Sequence, residues 1–131
     1  MVVLADTSAL IEYFRSTGGP AHLVCRSLVS SGEAGLTDPV LMEVLAGASR
    51  WDVAAIRRAA FDLHFLPVAP VFDYESAAEI YRTCRARGET VRSLMNCLIA
   101  AVAIREDVEL LHDDVDFDVI ARHTGLRIHG R

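Results

Sequence analysis

The chain opens on Val2-Val3-Leu4-Ala5, an apolar run that stops at a carboxylate, Asp6. The run is too short for a helix, and a short continuous apolar stretch with a polar stop reads as a strand buried on both faces. Strands of that kind occur in parallel sheets covered by helices. Thr7 and Ser8 follow, and then Leu10, Ile11 and Phe14 at helical spacing. In open parallel sheets ligands bind beyond the carboxyl ends of the strands, so Asp6 stands where such a fold meets its ligand. Asp, Thr and Ser all cap helices well, so Asp6 could equally be a cap alone. Which role Asp6 plays depends on whether other acids reach the same edge.

The remaining pattern supports an α/β fold. Ser16-Thr17-Gly18-Gly19-Pro20 is a dense turn signal, and a second helix is expected from Ala21 to Ser30, with His22 as an exposed residue. Ala34 to Thr37 reads as a short second strand. Asp38 and Pro39 open a helix, as cap and first-turn proline, with Val40, Leu41, Val44 and Leu45 apolar and Glu43 among them. A further helix runs from Trp51 to Leu63, and His64 to Val68 approaches a third strand, with Pro67 pointing to an edge position. Asp73 is expected to cap a helix from Tyr74 to about Arg87 that buries Ala77, Ala78, Ile80 and Tyr81. Arg82, Arg85, Arg87 and Arg92 gather at its end, where they suit the helix dipole and solvent.

Ser93 caps the next helix, Leu94 to Ile104, which is apolar nearly all round and therefore central. Asn96 is the one polar side chain in its first turns, and a buried amide there implies reciprocal capping or a ligand. Glu109 to His112 forms a fourth short strand and runs into Asp113-Asp114-Val115-Asp116-Phe117-Asp118, four acids in six residues. Capping needs one acid, and excess negative charge after a buried strand is costly unless something positive sits there. A short helix to His123 and a final strand, Leu126-Arg127-Ile128, complete the alternation of strands and helices expected of a parallel sheet sandwiched by helices.

Composition removes several classes of function. A chain of 131 residues is expected to form one domain over 1–131 with a sizeable core. The hydrophobic content of 52% leaves room for an additional apolar surface that a partner covers. No apolar run reaches the ~18 residues that span a bilayer and no signal-like leader opens the chain, so a cytoplasmic protein without a membrane partner is expected. Cys25, Cys84 and Cys97 lack the paired spacing of a disulfide framework or zinc site. All 13 basic residues are arginine, which removes lysine-dependent phosphate loops and Schiff-base chemistry. The net charge of −5 argues against nonspecific nucleic-acid binding, although forked guanidinium groups suit phosphates.

Taken together, Leu4-Ala5-Asp6-Thr7-Ser8, Glu43 in Met-Glu-Val-Leu-Ala-Gly, Ser93 to Ala101, and Asp114-Val115-Asp116-Phe117 resemble the PIN-domain ribonucleases, and more closely the VapC-type toxins of toxin–antitoxin pairs. The resemblance spans essentially the whole chain in order and spacing. It implies a three-layer α/β/α sandwich around a mostly parallel, short-stranded sheet. It also implies a Mg²⁺ or Mn²⁺ site at the sheet's C-terminal edge, built from Asp6, Glu43, Asn96, Asp114 and Asp116. RNA cleavage, commonly of tRNA, a VapB-type antitoxin whose tail blocks the site, and a toxin homodimer within that assembly are implied as well. Hard divalent ions prefer carboxylate oxygens and water, which gives the acids a chemical reason to gather. On this reading Asp6 is a direct ligand of the cation or hydrogen-bonds a water on it, and Asp114 is the second direct contact. Glu43 and Asp116 orient the nucleophilic water or an outer sphere. Thr7 and Ser8 hold carboxylates in place, and Asp113 and Asp118 are surface residues.

One departure stands out: the family pattern has aspartate where this chain has Asn96. The amide keeps one oxygen, loses a charge and adds an NH₂ donor, so weaker cation binding and reduced cleavage are expected on an intact fold. A catalytically silent RNA- or antitoxin-binding protein is the alternative. A phosphoacceptor domain is disfavoured by the absence of lysine. A hydrolase using Cys97 or Ser8 is disfavoured by the apolar setting of Cys97 and by the lack of nucleophile-turn glycines around Ser8.

Overall fold

A computed structural model of the protein describes residues 1–50 and 52–130. In chain order these form β1 (Val3–Ala5), α1 (Thr7–Phe14), α2 (Pro20–Ser30), β2 (Ala34–Leu36), α3 (Asp38–Gly47), α4 (Val53–Ala60), β3 (His64–Phe65), α5 (Phe72–Ala86), α6 (Leu94–Glu106), β4 (Glu109–Leu111) and α7 (Val115–His123). Trp51, at the expected start of α4, lies outside the described residues. The four described strands are all parallel and lie in the order β3-β2-β1-β4. The chain therefore winds outward from β1 through β2 to β3 and then crosses to the other side of β1. Right-handed crossovers running in opposite directions place helices on both faces of the sheet. The point of reversal lies between β1 and β4, and crevices at such points are where open α/β sheets bind ligands.

Residue choice follows this plan. All of β1 is buried, as is α6 from Asn96 to Ala103, so the central strand and the helix that is apolar all round form the heart of the core. Gly35 sits in β2 because a Cβ there would lie 3.3 Å from the Val3 carbonyl and 2.9 Å from a Val2 methyl. Pro67 follows β3 on the sheet edge, where a missing donor costs no ladder bond.

Several expectations need correction. Residues 126–128 do not form a full strand; the pairing is a single parallel bridge, Leu110 to Ile128, flanked by hydrogen bonds from Leu110 N–H to the Arg127 carbonyl and from His129 N–H to the Leu110 carbonyl. His22 is buried, not exposed: its Nδ1 accepts from Gly18 N–H at 2.8 Å and its ring packs near Tyr13 where the turn folds back. Asp38 does not cap α3; Thr37 takes that position, and Asp38 accepts from Val68 N–H at 2.9 Å, tying α3 to the segment after β3.

Asp73 is likewise not a cap. It is fully buried inside the first turn of α5, accepts from Ala69 N–H, and is gripped by Arg105 Nε at 3.0 and 3.1 Å. Val71, which takes the cap position, adopts φ 66°, a strained conformation for a β-branched residue that this buried ion pair holds in place. Ala78, expected inside, is exposed, because the buried stripe of α5 runs through Ala77, Ile80 and Cys84.

Candidate active site

Asp6 leaves β1 and its carboxylate turns back to accept from Ala9 N–H at 2.8 Å, so it does cap α1. The Ser8 hydroxyl also donates to it at 2.8 Å and in turn accepts the backbone N–H of Asp113 at 2.8 Å, which ties the end of β1 to the end of β4. Asp6 is only 2% exposed. Burial pushes its carboxyl up to about 7 against the pull of the Ala9 and Ser8 hydrogen bonds, and the charge on Asp114 adds to the rise. Capping and a role at the sheet edge are thus not alternatives here, because one carboxylate occupies both places.

The other acids reach the same edge from two elements, α3 and the start of α7. Glu43, half-buried in the second turn of α3, accepts the Thr7 hydroxyl at 2.6 Å. Asp114 caps α7 by accepting from Asp116 N–H, and its own N–H donates to Nδ1 of the buried His112 side chain at 3.0 Å. The His112 ring is held between Phe117 and Asp118, so Asp118 is half-buried instead of freely exposed. Asp113 is exposed, and its carboxylate raises the carboxyl of Glu12 above its ordinary range.

Asp116, 3% exposed, accepts from the backbone N–H groups of Arg92 and Ser93, each at 3.2 Å. Its two oxygens thereby anchor the residues just ahead of α6, where Ser93 caps the helix through Asn96 N–H. The Asn96 amide spans Asp114 and Asp116, with Nδ2 donating to one oxygen of each at 3.1 Å. That, and not reciprocal capping, is why an amide lies buried in the first turn of α6.

Sequence reasoning overlooked Arg92, which had been grouped with the arginines at the end of α5. Its Nε reaches Asp116 at 3.4 Å and its Nη2 reaches Asp114 at 3.3 Å. The available signal was its position immediately before the Ser93 cap, at the mouth of the acidic edge. Cys97, one residue beyond Asn96, is buried and its thiol is pushed up to about 12 by burial, a packing residue as expected.

The donor set at this edge is oxygen only, which suits Mg²⁺ or Mn²⁺. Among the described residues no three His, Cys, Asp or Glu side chains are posed together as a metal-ligand group. Asp116 is committed to the α6 entrance and position 96 carries an amide, so Asp6 at the end of β1 and Asp114 beyond the adjoining β4 are the carboxylates that could hold a cation. Mg²⁺ commonly takes one or two carboxylates and keeps several waters, and the residues present fit a site of that kind.

Residues 3–123 match the PIN domain family model. Over 129 residues the chain is 45% identical to the VapC ribonuclease Mb1587 of Mycobacterium bovis and to ribonuclease VapC11 of Mycobacterium tuberculosis, covering 96% of this chain and 96% of each relative. It belongs to the VapC family of PIN-domain proteins. The VapC fold extends to solved structures at low identity. The DNA-bound VapBC complex of Salmonella typhimurium matches with a TM-score of 0.78 at 19% identity, covering 98% of both chains. VapBC2 of Rickettsia felis, bound to a promoter DNA fragment, matches with a TM-score of 0.74 at 14% identity and the same coverage. The three-layer PIN architecture read from the motifs is therefore the fold of this VapC chain, with its described strands all parallel instead of mostly so. No helix among the described residues is long and apolar enough to cross a membrane.

Proposed function

We propose that this VapC chain is the ribonuclease toxin of a toxin–antitoxin pair, acting on RNA with Mg²⁺ or Mn²⁺ and attenuated by Asn96. The observation that carries the reading is that β1 and β4 run side by side and end together at the reversal point of the sheet. Asp6 N–H donates to the Leu111 carbonyl and Ser8 links the Asp6 carboxylate to Asp113 N–H, which brings Asp6 and Asp114 to one edge. Carboxylates gathered at one sheet edge, Asp6 buried and Asp114 half-buried, gain from a cation that offsets their charge.

Asp6 and Asp114 would hold the cation. Bound there, it would neutralise charge on the scissile phosphate and acidify a water. The chain's own part is positional. The Ser8 hydroxyl fixes the Asp6 carboxylate, and the Thr7 hydroxyl fixes Glu43, which is placed to orient a water and take its proton. Asp116 positions Arg92, Ser93 and Asn96 instead of meeting the substrate itself. Asn96 supplies donors where the family has an acceptor, satisfying Asp114 and Asp116 internally and lowering the gain from a bound cation.

The partner is a VapB-type antitoxin. A cavity of about 470 Å³ between α1, α3 and α4, lined by Ile11, Phe14, Val44, Ala55 and Ile56 among others, offers it an apolar seat. The exposed Val71, Phe72 and Tyr74 at the start of α5 give a second apolar face, suited to a homodimer within the assembly. A structured RNA such as tRNA is the proposed substrate.

The test compares Mg²⁺- and Mn²⁺-dependent cleavage of total cellular RNA by the chain as given and by Asn96→Asp, with the cut ends mapped. Asn96→Asp is expected to raise the rate by about 10²-fold or more, the scale of removing a group that acts only in the transition state. No cleavage by either form at any cation concentration would defeat the catalytic assignment. A specific observation favours a second reading, a protein that binds RNA or antitoxin without cutting: the Asn96 amide already bridges the two acids. RNA binding by the chain as given with no cleavage even in Mn²⁺, restored by Asn96→Asp, assigns that silent state to this residue.

A further inference from the structure

We infer that Arg92 is an internal counter-ion of the acidic edge, holding Asp114 until a divalent cation displaces it. The inference rests on the cation-dependent reading above and deepens it by naming the group the cation must replace.

Two arginine–aspartate pairs in this molecule allow a comparison. Arg105 donates to buried Asp73 at 3.0 and 3.1 Å, to the Pro67 carbonyl at 2.8 Å and to Glu106 at 2.8 Å, with its side chain 27% exposed. Those are the short, multiple contacts of a permanent clamp. Arg92 reaches Asp114 and Asp116 only at 3.3 and 3.4 Å, longer than a well-formed charged hydrogen bond, and its side chain is 71% exposed. It can leave for solvent at little cost.

Its departure strands neither acid. Asp116 keeps the Arg92 and Ser93 backbone donors and the Asn96 amide, all at 3.1 to 3.2 Å. Asp114 keeps Asp116 N–H at 3.0 Å and the Asn96 amide at 3.1 Å. The guanidinium is therefore not needed to satisfy hydrogen bonds. What it supplies is positive charge beside Asp114, the same commodity a cation brings, so the two exclude each other.

Mn²⁺ binding measured by calorimetry on the chain as given, Arg92→Gln, Arg92→Lys and Asn96→Asp tests this, with thermal midpoints recorded alongside. Arg92→Gln is expected to tighten Mn²⁺ by roughly fivefold, the upper range for an exposed ion pair. Arg92→Lys, which keeps the charge but not the planar fork, falls between Arg92→Gln and the parent. If Arg92→Gln leaves Mn²⁺ affinity unchanged or weakens it while Asn96→Asp binds the ion, the counter-ion role is wrong and the cation site stands. A lowered midpoint with unmoved affinity marks Arg92 as structural and likewise overturns the inference. If no form binds Mn²⁺, Asn96→Asp included, the site reading itself fails and takes the inference with it.

Discussion

A carboxyl group raised to about 7 is half-protonated at neutral pH, and Asp6 reaches that state chiefly through burial. The sign of the consequence follows from proton linkage. Between its unfolded value of 3.8 and about 7, native Asp6 keeps a proton that the unfolded chain has released. Its contribution to stability is fully present below the lower value and is lost as pH rises through the upper one. In EDTA the chain should lose stability from pH 5 to 8, with a slope of at most about 1.4 kcal/mol per pH unit from this group. Asp6→Asn, which cannot titrate, should flatten that loss in urea denaturation series at each pH. An unchanged slope in the variant would mean that Asp6 is ionised and solvated at neutral pH. Proton and cation compete for this carboxylate in the proposed function, so Mn²⁺ should stabilise the protein more at pH 8 than at pH 6.

The elements differ in how openly the sequence declares them. Ser93 as the cap of α6 was legible because a hydroxyl stood directly before a long apolar run, and its side chain does accept from Asn96 N–H. Asp73 looked the same on paper, an acid before an apolar pattern, yet it is the buried partner of Arg105. Capping and buried pairing select the same residue type, and the arginine that decides between them lies 32 positions away. Asp6 and the acids after β4 stood out at strand ends, whereas Glu43, and the grouping of Asp6, Glu43, Asp114 and Asp116 as a set, came only from the family resemblance. Arg92 was not, because an arginine near a helix C-terminus already has an adequate explanation.

Asp116 shows how far an element can lean on one side chain. It holds the N–H groups of Arg92 and Ser93, so the entrance of α6 depends on α7. Ser93→Ala should cost about 1 kcal/mol, the usual value of a lost cap. Asp116→Ala should cost more, about 3 kcal/mol, since buried donors lose their acceptor together. Urea midpoints for the two variants decide the order. A smaller loss for Asp116→Ala would show that water replaces the carboxylate and that α6 is held by its apolar packing alone.

At the scale of the whole molecule, strand order does what no single motif can. Placing β1 between β2 and β4 sets Asp6 and Asp114 side by side although they are far apart in the chain. The same winding leaves α1, α3 and α4 around a cavity whose lining includes none of Asp6, Glu43, Asn96, Asp114 and Asp116, so the two surfaces can be substituted separately. Ala55 is exposed and lines that cavity, whereas Ala78 is exposed on α5 and does not. Both are helical alanines at solvent positions, so Glu at either should change stability by no more than about 0.5 kcal/mol. Ala55→Glu puts a charge into an apolar seat and should weaken a VapB-type antitoxin by about tenfold or more, measured by competition between labelled and unlabelled antitoxin. Ala78→Glu should leave that affinity unchanged, and in the Asn96→Asp background both should cut RNA at the same rate when antitoxin is absent. Equal antitoxin affinity for the two would move the docking surface elsewhere, with the exposed start of α5 at Val71 and Phe72 as the next face to probe.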